Sequence, residues 1–225
     1  VPSRTISAIE CGCFAAGWMV LALAWVSPLC NLTIALFSAR VGQHMLVTLV
    51  AAPLLVLGRP GVALANVWPA LASRFARIPR SWVGAPAATA LFAAFLWLWH
   101  LPRPYSTTFE SDLTYWTMHL TLLASALMLW QVLISHESQK LQQIVLAGFA
   151  TVLQMGLLGA IITLAPRVLY APHLLTTQVW GFTPLEDQQL GGLIMWIPGC
   201  AIVMIAALVA VARAVRAPAY RSLST

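Results

Sequence analysis

The chain has 225 residues, of which 60% are hydrophobic and only 8% charged, with a mean hydropathy of +0.85. A water-soluble domain carries about a quarter charged residues, so a soluble enzyme is excluded. The formal net charge of +6 comes from arginines scattered between apolar runs, never gathered into a basic face, which excludes a nucleic-acid binder.

What remains is an integral membrane protein whose main surface partner is the lipid bilayer. The hydrocarbon core is about 30 Å thick and a helix rises about 1.5 Å per residue, so apolar runs of about 18 residues or more read as spanning helices. A β-barrel would alternate apolar and polar residues over about ten positions, whereas the runs here are continuous. The pattern predicts an all-α integral membrane protein: one domain, residues 1–225, forming a bundle of about six transmembrane helices. In chain order the spans are expected at about 11–29, 38–57, 82–101, 113–134, 141–164 and 190–212. The first run continues past signal-peptide length and has no small-residue cleavage site before Pro28.

The longest connection, 58–81, contains Arg59, Arg74, Arg77 and Arg80, with a short interfacial helix expected around 67–76. Arg4 precedes the first span, Lys140 lies between the fourth and fifth, and Arg213, Arg216 and Arg221 follow the sixth. Arg40, Arg103 and Arg167 fall on the opposite side, with the acids Glu110, Asp112, Glu186 and Asp187. Positive charge marks the inner face, so both termini are expected in the cytoplasm. Trp82, Trp97, Trp99 and Trp116 lie near span ends, as interfacial aromatics do. There is no internal repeat, no phosphate-binding glycine loop and no nucleophile elbow, and the chain reads as a non-enzyme.

Ionisable residues inside a bilayer are costly, so each one is a functional hypothesis. His44 and His119 each lie about six residues into a span from the outer side, roughly 9 Å deep. His100 closes the outer end of the third span, where Leu101-Pro102 stops the helix. Met195 sits about five residues, roughly 8 Å, into the sixth. Separate helices thus bring His or Met to the outer third of the membrane. Imidazole and thioether suit copper, the thioether favouring Cu(I). Haem iron held by axial His or His/Met is a second reading, and a proton path a third. The plain alternative is a hydrogen-bonded structural His and a packing Met. Met45 and Met118 adjoin His44 and His119, but helix neighbours point about 100° apart, so at most one of each pair faces a given site.

Asp187 either lends charge to the start of the sixth span or is a carboxylate that orients a ligating imidazole. Cys11-Gly12-Cys13 could hold Cu(I) with two thiolates, or be small helix residues. Cys30 has no evident disulfide partner, and Cys200 reads as packing. His136 and His173 read as solvated loop residues. Gln154 calls for a partner on another helix, Gly156, Gly159, Gly191 and Gly192 for close helix approach, and Pro198-Gly199 for a kink.

Several of these residues carry a resemblance. Trp99-His100-Leu101-Pro102, Gln43-His44-Met45, His119 and the stretch Asp187-Gln188-Gln189-Leu190-Gly191-Gly192-Leu193-Ile194-Met195-Trp196 are similar to the CtaG-type assembly factors of caa3-type cytochrome c oxidase, a polytopic membrane family. The likeness runs over about 25–213, with D-Q-X-X-G-G-X-X-M-W and W-H-X-P as its specific parts. It implies a multi-pass chaperone of the bacterial cytoplasmic (inner) membrane that works with cytochrome c oxidase subunits and is linked with copper supply. It implies that His44, His100, His119, Asp187 and Met195 occupy the family's motif positions. Family members usually have a seventh span, which these apolar runs do not supply.

Residues and resemblance together lead to the expectation of Cu(I) held near the extracytoplasmic face and passed to an oxidase copper centre. His44, His100 and His119 would be metal ligands, Met195 a fourth and Asp187 an orienting group, with a copper donor protein upstream. The competing expectations are a haem-binding electron-transfer protein, a copper permease using Cys11 and Cys13 on the cytoplasmic half, and a metal-independent assembly chaperone.

Overall fold

The computed structural model describes residues 5–59, 61, 84–134 and 141–222, with side chains to residue 213. Every regular element among the described residues is helical. Helix α1 (Ala8–Val26) starts where Ser7 and Glu10 cap each other: Glu10 N donates to Ser7 Oγ at 3.2 Å and Ser7 N to Glu10 Oε2 at 2.9 Å. Two donors that a helix start leaves unpaired are satisfied in this way. Glu10 also pairs with Arg59 at 3.2 Å. The short α2 (Leu29–Ala35) follows.

The second apolar run is one span in three pieces: α3 (Phe37–Met45), a π-helical turn (Leu46–Ala51) and α4 (Ala52–Leu57). Pro53 is the local cause. It has no N–H and its ring crowds the carbonyl four residues back, a conflict that a wider turn absorbs. Ala52 N donates five residues back to Val47 O, and Pro53 cannot donate, so Thr48 O is left without its usual in-helix donor. The indole of Trp130, from another helix, replaces it at 2.7 Å.

The remaining elements are α5 (Ala85–His100), α6 (Pro102–Thr107), α7 (Asp112–Leu133) and α8 (Leu141–Leu164), then α9 (Pro184–Ile194), a second π-helical turn (Met195–Gly199) and α10 (Cys200–Ser222). The kink expected at Pro198-Gly199 takes the form of this π turn. Five stretches are long and apolar enough to cross a membrane: α1, Phe37–Leu57, α7, α8 and Pro184–Arg213. Helix α5 is apolar but has 16 residues, about 24 Å of rise against a core of about 30 Å. The expected start of that span at 82, the interfacial helix at 67–76, and His136 and Lys140 lie outside the described residues. The first and last spans begin earlier than hydropathy suggests, because capping boxes set their starts. The second is Thr183 with Glu186, followed by Pro184 in the first turn.

Phe37–Leu57 is the central helix. Within its most apolar stretch 61% of residues are buried in protein, against 17% for α1 and for Pro184–Arg213. It packs against α1, α7, α9 and the second π turn. Around it, α5 packs on α7 and α8, and α8 on α9 and α10. Leu146, Phe149, Leu153 and Leu157 form an exposed stripe on α8, opposite buried Ile144, Ala147, Thr151, Met155 and Leu158. A helix apolar on both faces, with one face open, is built to meet lipid.

The backbones of α8 and α9 nearly touch at two glycines. A Cβ on Gly159 would lie 3.0 Å from Gly192 O, and one on Gly192 would lie 2.8 Å from Thr163 N. Small residues at such crossings let helices approach in a membrane. Gly192→Ala is expected to destabilise the bundle by about 1–3 kcal/mol through overpacking against backbone. Gly12→Ala, where a Cβ would meet nothing within 4 Å, should be neutral or slightly stabilising. Thermal unfolding of both variants in detergent checks the contrast.

Candidate functional site

The central helix brings Arg40, Gln43 and His44 into the protein interior. At 3.6 residues per turn, Arg40 and His44 stand on the same face one turn apart. His44, His100 and His119 are respectively 1%, 3% and 1% exposed. The His44 ring sits edge-on between the other two, its centroid 5.7 Å from that of His100 and 5.6 Å from that of His119. Three helices, α3, α5 and α7, thus meet at one imidazole layer with His44 in the middle.

The nitrogen atoms of this layer are unevenly satisfied. His100 Nδ1 lies 2.7 Å from Leu96 O. A carbonyl only accepts, so Nδ1 carries the proton and Nε2 keeps its lone pair. That Nε2 is buried without a hydrogen-bond partner, and so are both ring nitrogens of His44. Each unpartnered buried polar atom costs on the order of 1–3 kcal/mol, which packing alone does not explain.

The spacing suits a shared ion. With a metal–nitrogen bond of about 2 Å, two imidazoles on one metal have centroids about 5–6.5 Å apart, from tetrahedral to linear angles. Both His44 pairs fall in that range. Among the described residues, no group of three or more His, Cys, Asp or Glu side chains is placed to hold a metal ion. The imidazoles stand as two pairs through His44 rather than as a three-ligand cage.

Met195 is fully buried as the first residue of the second π turn, which packs on α3. Asp187 is placed elsewhere. Its Oδ2 accepts from Phe37 N at 2.6 Å, and its Oδ1 from Ser38 N at 3.2 Å and from Ser38 Oγ. It caps the start of α3, where Leu36 at the cap position offers no side-chain bond. The carboxylate lies in the first turn of α9, as one sequence reading had it, and it also holds a helix 150 residues away in sequence, which neither reading foresaw. It positions His44 through the backbone of α3.

His119 has two acceptors beside it. Tyr115 O lies 3.1 Å from Nδ1, and Gln43 Oε1 lies 3.1 Å from Nε2. Gln43 Nε2 in turn donates to Ala24 O on α1 at 2.7 Å.

Arg40, which in the sequence served only to set orientation, is 1% exposed. Its Nη1 donates to Thr108 Oγ1 at 2.9 Å, and its guanidinium lies 4.1 Å from the Phe109 ring centre and 5.3 and 5.5 Å from those of Tyr105 and Tyr115. Among the described residues it makes no ion pair, and ring faces hold the charge. An arginine inside an apolar run, four residues before a buried histidine, was the signal available in sequence.

Aromatic residues from α6 and the loop before α9 line the same end of the bundle. Tyr170 OH donates to His100 O at 2.8 Å, and the Tyr170 ring stacks on Phe37 at 4.1 Å. His173, expected in a solvated loop, is instead 1% exposed and lies with Nε2 2.6 Å from Tyr105 OH. Burial pushes its pKa down to about 4 and that of Tyr105 up.

The cysteines do not join this layer as a group. Cys11 is exposed and Cys13 half-buried on α1, where two positions turn the helix by about 200°, so the thiols face different sides. Cys30 Sγ lies 3.4 Å from Tyr115 OH, and Cys200 Sγ lies 3.4 Å from Val152 O. Gln154 finds its partner on α5, accepting from Trp97 Nε1 at 3.0 Å. A groove of about 410 Å³ between α5 and α8, lined by Ala85, Ala90, Ala93, Ala147, Ala150 and Gln154, lies towards the opposite end of α5 from His100 and holds none of the expected ligands.

Fold and site together define a polytopic helical membrane protein with a buried, partly unsatisfied imidazole layer. Over residues 3–217 the chain matches the family model for the cytochrome c oxidase caa3 assembly factor (Caa3_CtaG), and the protein belongs to that family. No match was found among curated proteins or solved structures.

Two outcomes test this geometry. Asp187→Ala strands the donors at the start of α3 and should cost about 1–3 kcal/mol, with Asp187→Asn losing less, read from unfolding in detergent. His173 stays neutral in the folded chain, whereas the unfolded chain takes up a proton near pH 6.5. The unfolded state then binds more protons, so stability falls as pH drops from about 6.5 toward 4. Between about pH 7.5 and pH 5 the wild type should lose more melting temperature than His173→Gln.

Proposed function

We propose that this protein is an oxidase assembly factor that binds copper as Cu(I) at the His44 layer and passes it to a copper centre of cytochrome c oxidase. The carrying observation is the edge-on pair of buried imidazoles, His44 and His100, at a centroid separation of 5.7 Å, which between them hold three ring nitrogens without a hydrogen-bond partner. Lone pairs on neutral imidazole suit Cu(I), and the buried thioether of Met195, on a turn packed against α3, is a soft donor in reserve. A low coordination number lets an acceptor displace the ligands one at a time. The edge-on contact of the two rings leaves little room for a macrocycle between them, which favours a bare ion over haem.

On this reading α5 also crosses the membrane, as the third of six spans, and both termini are cytoplasmic, which sets the imidazole layer near the extracytoplasmic face of a bacterial inner membrane. The basic loop at 58–81 and the arginines after the last span support that orientation. Copper is cargo, the donor is a copper-carrying protein and the recipient an oxidase subunit, with no catalytic turnover involved.

The test is the copper content and optical spectrum of protein purified without oxygen, beside complementation of a strain lacking the gene. Wild type should hold about one Cu(I) per chain with no Soret band, while His44→Ala should bind at least about 100-fold more weakly and fail to restore oxidase activity. A His44→Ala protein that melts normally, keeps its copper and restores the oxidase would sink the assignment. A Soret band would move it to haem.

A further inference from the structure

Gln43 is fully buried, and its amide is tied at both ends. Ala24 O can only accept, so the amide must turn its NH₂ toward α1, with Nε2 at 2.7 Å. That leaves Gln43 Oε1 facing His119 Nε2 at 3.1 Å. The Tyr115 side chain also bonds the Gln43 amide, but Nε2 at 3.1 Å is the ring nitrogen that lies against this oxygen and can donate to it, and a nitrogen that carries a proton has no lone pair for a metal. The other ring nitrogen also meets an acceptor, Tyr115 O at 3.1 Å. A neutral imidazole has a single N–H and can satisfy only one of the two at a time.

Building on the copper reading, we propose that Gln43 is a positioning residue that withholds His119 from the metal until the ion arrives. With Nε2–H on Gln43, His119 is not a ligand, and His44 and His100 form the resting pair. With the proton on Nδ1 instead, donated to Tyr115 O, Nε2 gains the lone pair a third ligand needs. The ring stays neutral: one proton leaves Nε2, one is taken up at Nδ1, and copper keeps its charge. The ring centroid of His119 is already 5.6 Å from that of His44, so a proton exchange and a small rotation separate the two states. Withholding His119 makes binding weaker than three free histidines would give, which favours release, and it links loading to α1 through Ala24.

The test uses the full chain in detergent. Gln43→Leu keeps comparable bulk and removes both amide bonds, and Gln43→Asn, too short to reach both partners, serves if the leucine variant does not fold. In metal-free protein, histidine-selective nitrogen NMR should show His119 as the Nε2–H tautomer in the wild type and the Nδ1–H tautomer in the variant. In competition with a Cu(I) chelator, the variant should bind about tenfold more tightly, whereas simple packing damage would weaken binding. An unchanged tautomer, or affinity equal to or below wild type in a normally melting variant, overturns the proposal. If wild type takes up no Cu(I) although the tautomer shifts, the copper reading falls too, and the amide contact is purely structural.

Discussion

The carboxylate of Asp187 at the head of α3 is the contact on which the arrangement rests. A helix start exposes unpaired N–H groups, and inside a membrane protein no water is at hand to meet them. Leu36 supplies no acceptor, so the start of the central helix is completed by a residue from the last span. Four residues on, Gly191 lies against the Phe37 ring, where a Cβ would come within 2.5 Å of Phe37 Cδ1. Asp187 and Gly191 share one face of α9, so a charge and a gap dock the same turn of α3. The register of α3 fixes the heights of Arg40, Gln43 and His44 together.

Around that dock the bundle sorts its groups against the usual pattern of soluble proteins. Apolar side chains face outward on α8 and α10, while the interior at one end gathers an arginine, four histidines and several hydroxyls. Low dielectric raises the cost of each unpaired atom and the strength of each pairing made. Arg40 is accommodated by three aromatic rings and Thr108.

Hydropathy was enough to locate the five stretches long enough to cross a membrane, because lipid-facing and core-facing positions are both apolar and the runs stand out by length alone. It marked apolar cores rather than helix ends, which Ser7 with Glu10 and Thr183 with Glu186 determine through short-range hydrogen bonds. That His44, His100 and His119 stand at a common level was legible for a simple reason: rise per residue converts sequence position into height along each helix. Rotation about each helix axis was not, and it decides that Gln43, given no role of its own in the sequence reading, faces His119. The partners of Asp187, Arg40 and His173 come from distant segments, so no local pattern announces them. The burial of His173 in particular depends on Tyr105 and Phe109, which belong to a different connection.

The two π-helical turns have an effect on helical phase. Each contains one residue more than an α-helical turn would, so side chains beyond it are set back by about 100° relative to a continuous α-helix. The turns lie against each other: a Cβ on Gly199 would meet Met45 Sδ at 3.3 Å and Leu49 Cδ1 at 3.7 Å. Two neighbouring spans therefore slip phase at the same level. The half carrying His44 is aimed independently of the half that packs against α1, and substitutions that re-tune one half need not re-aim the other. A one-residue deletion between Leu46 and Ala51 would leave the hydropathy profile almost untouched and yet couple the two halves again.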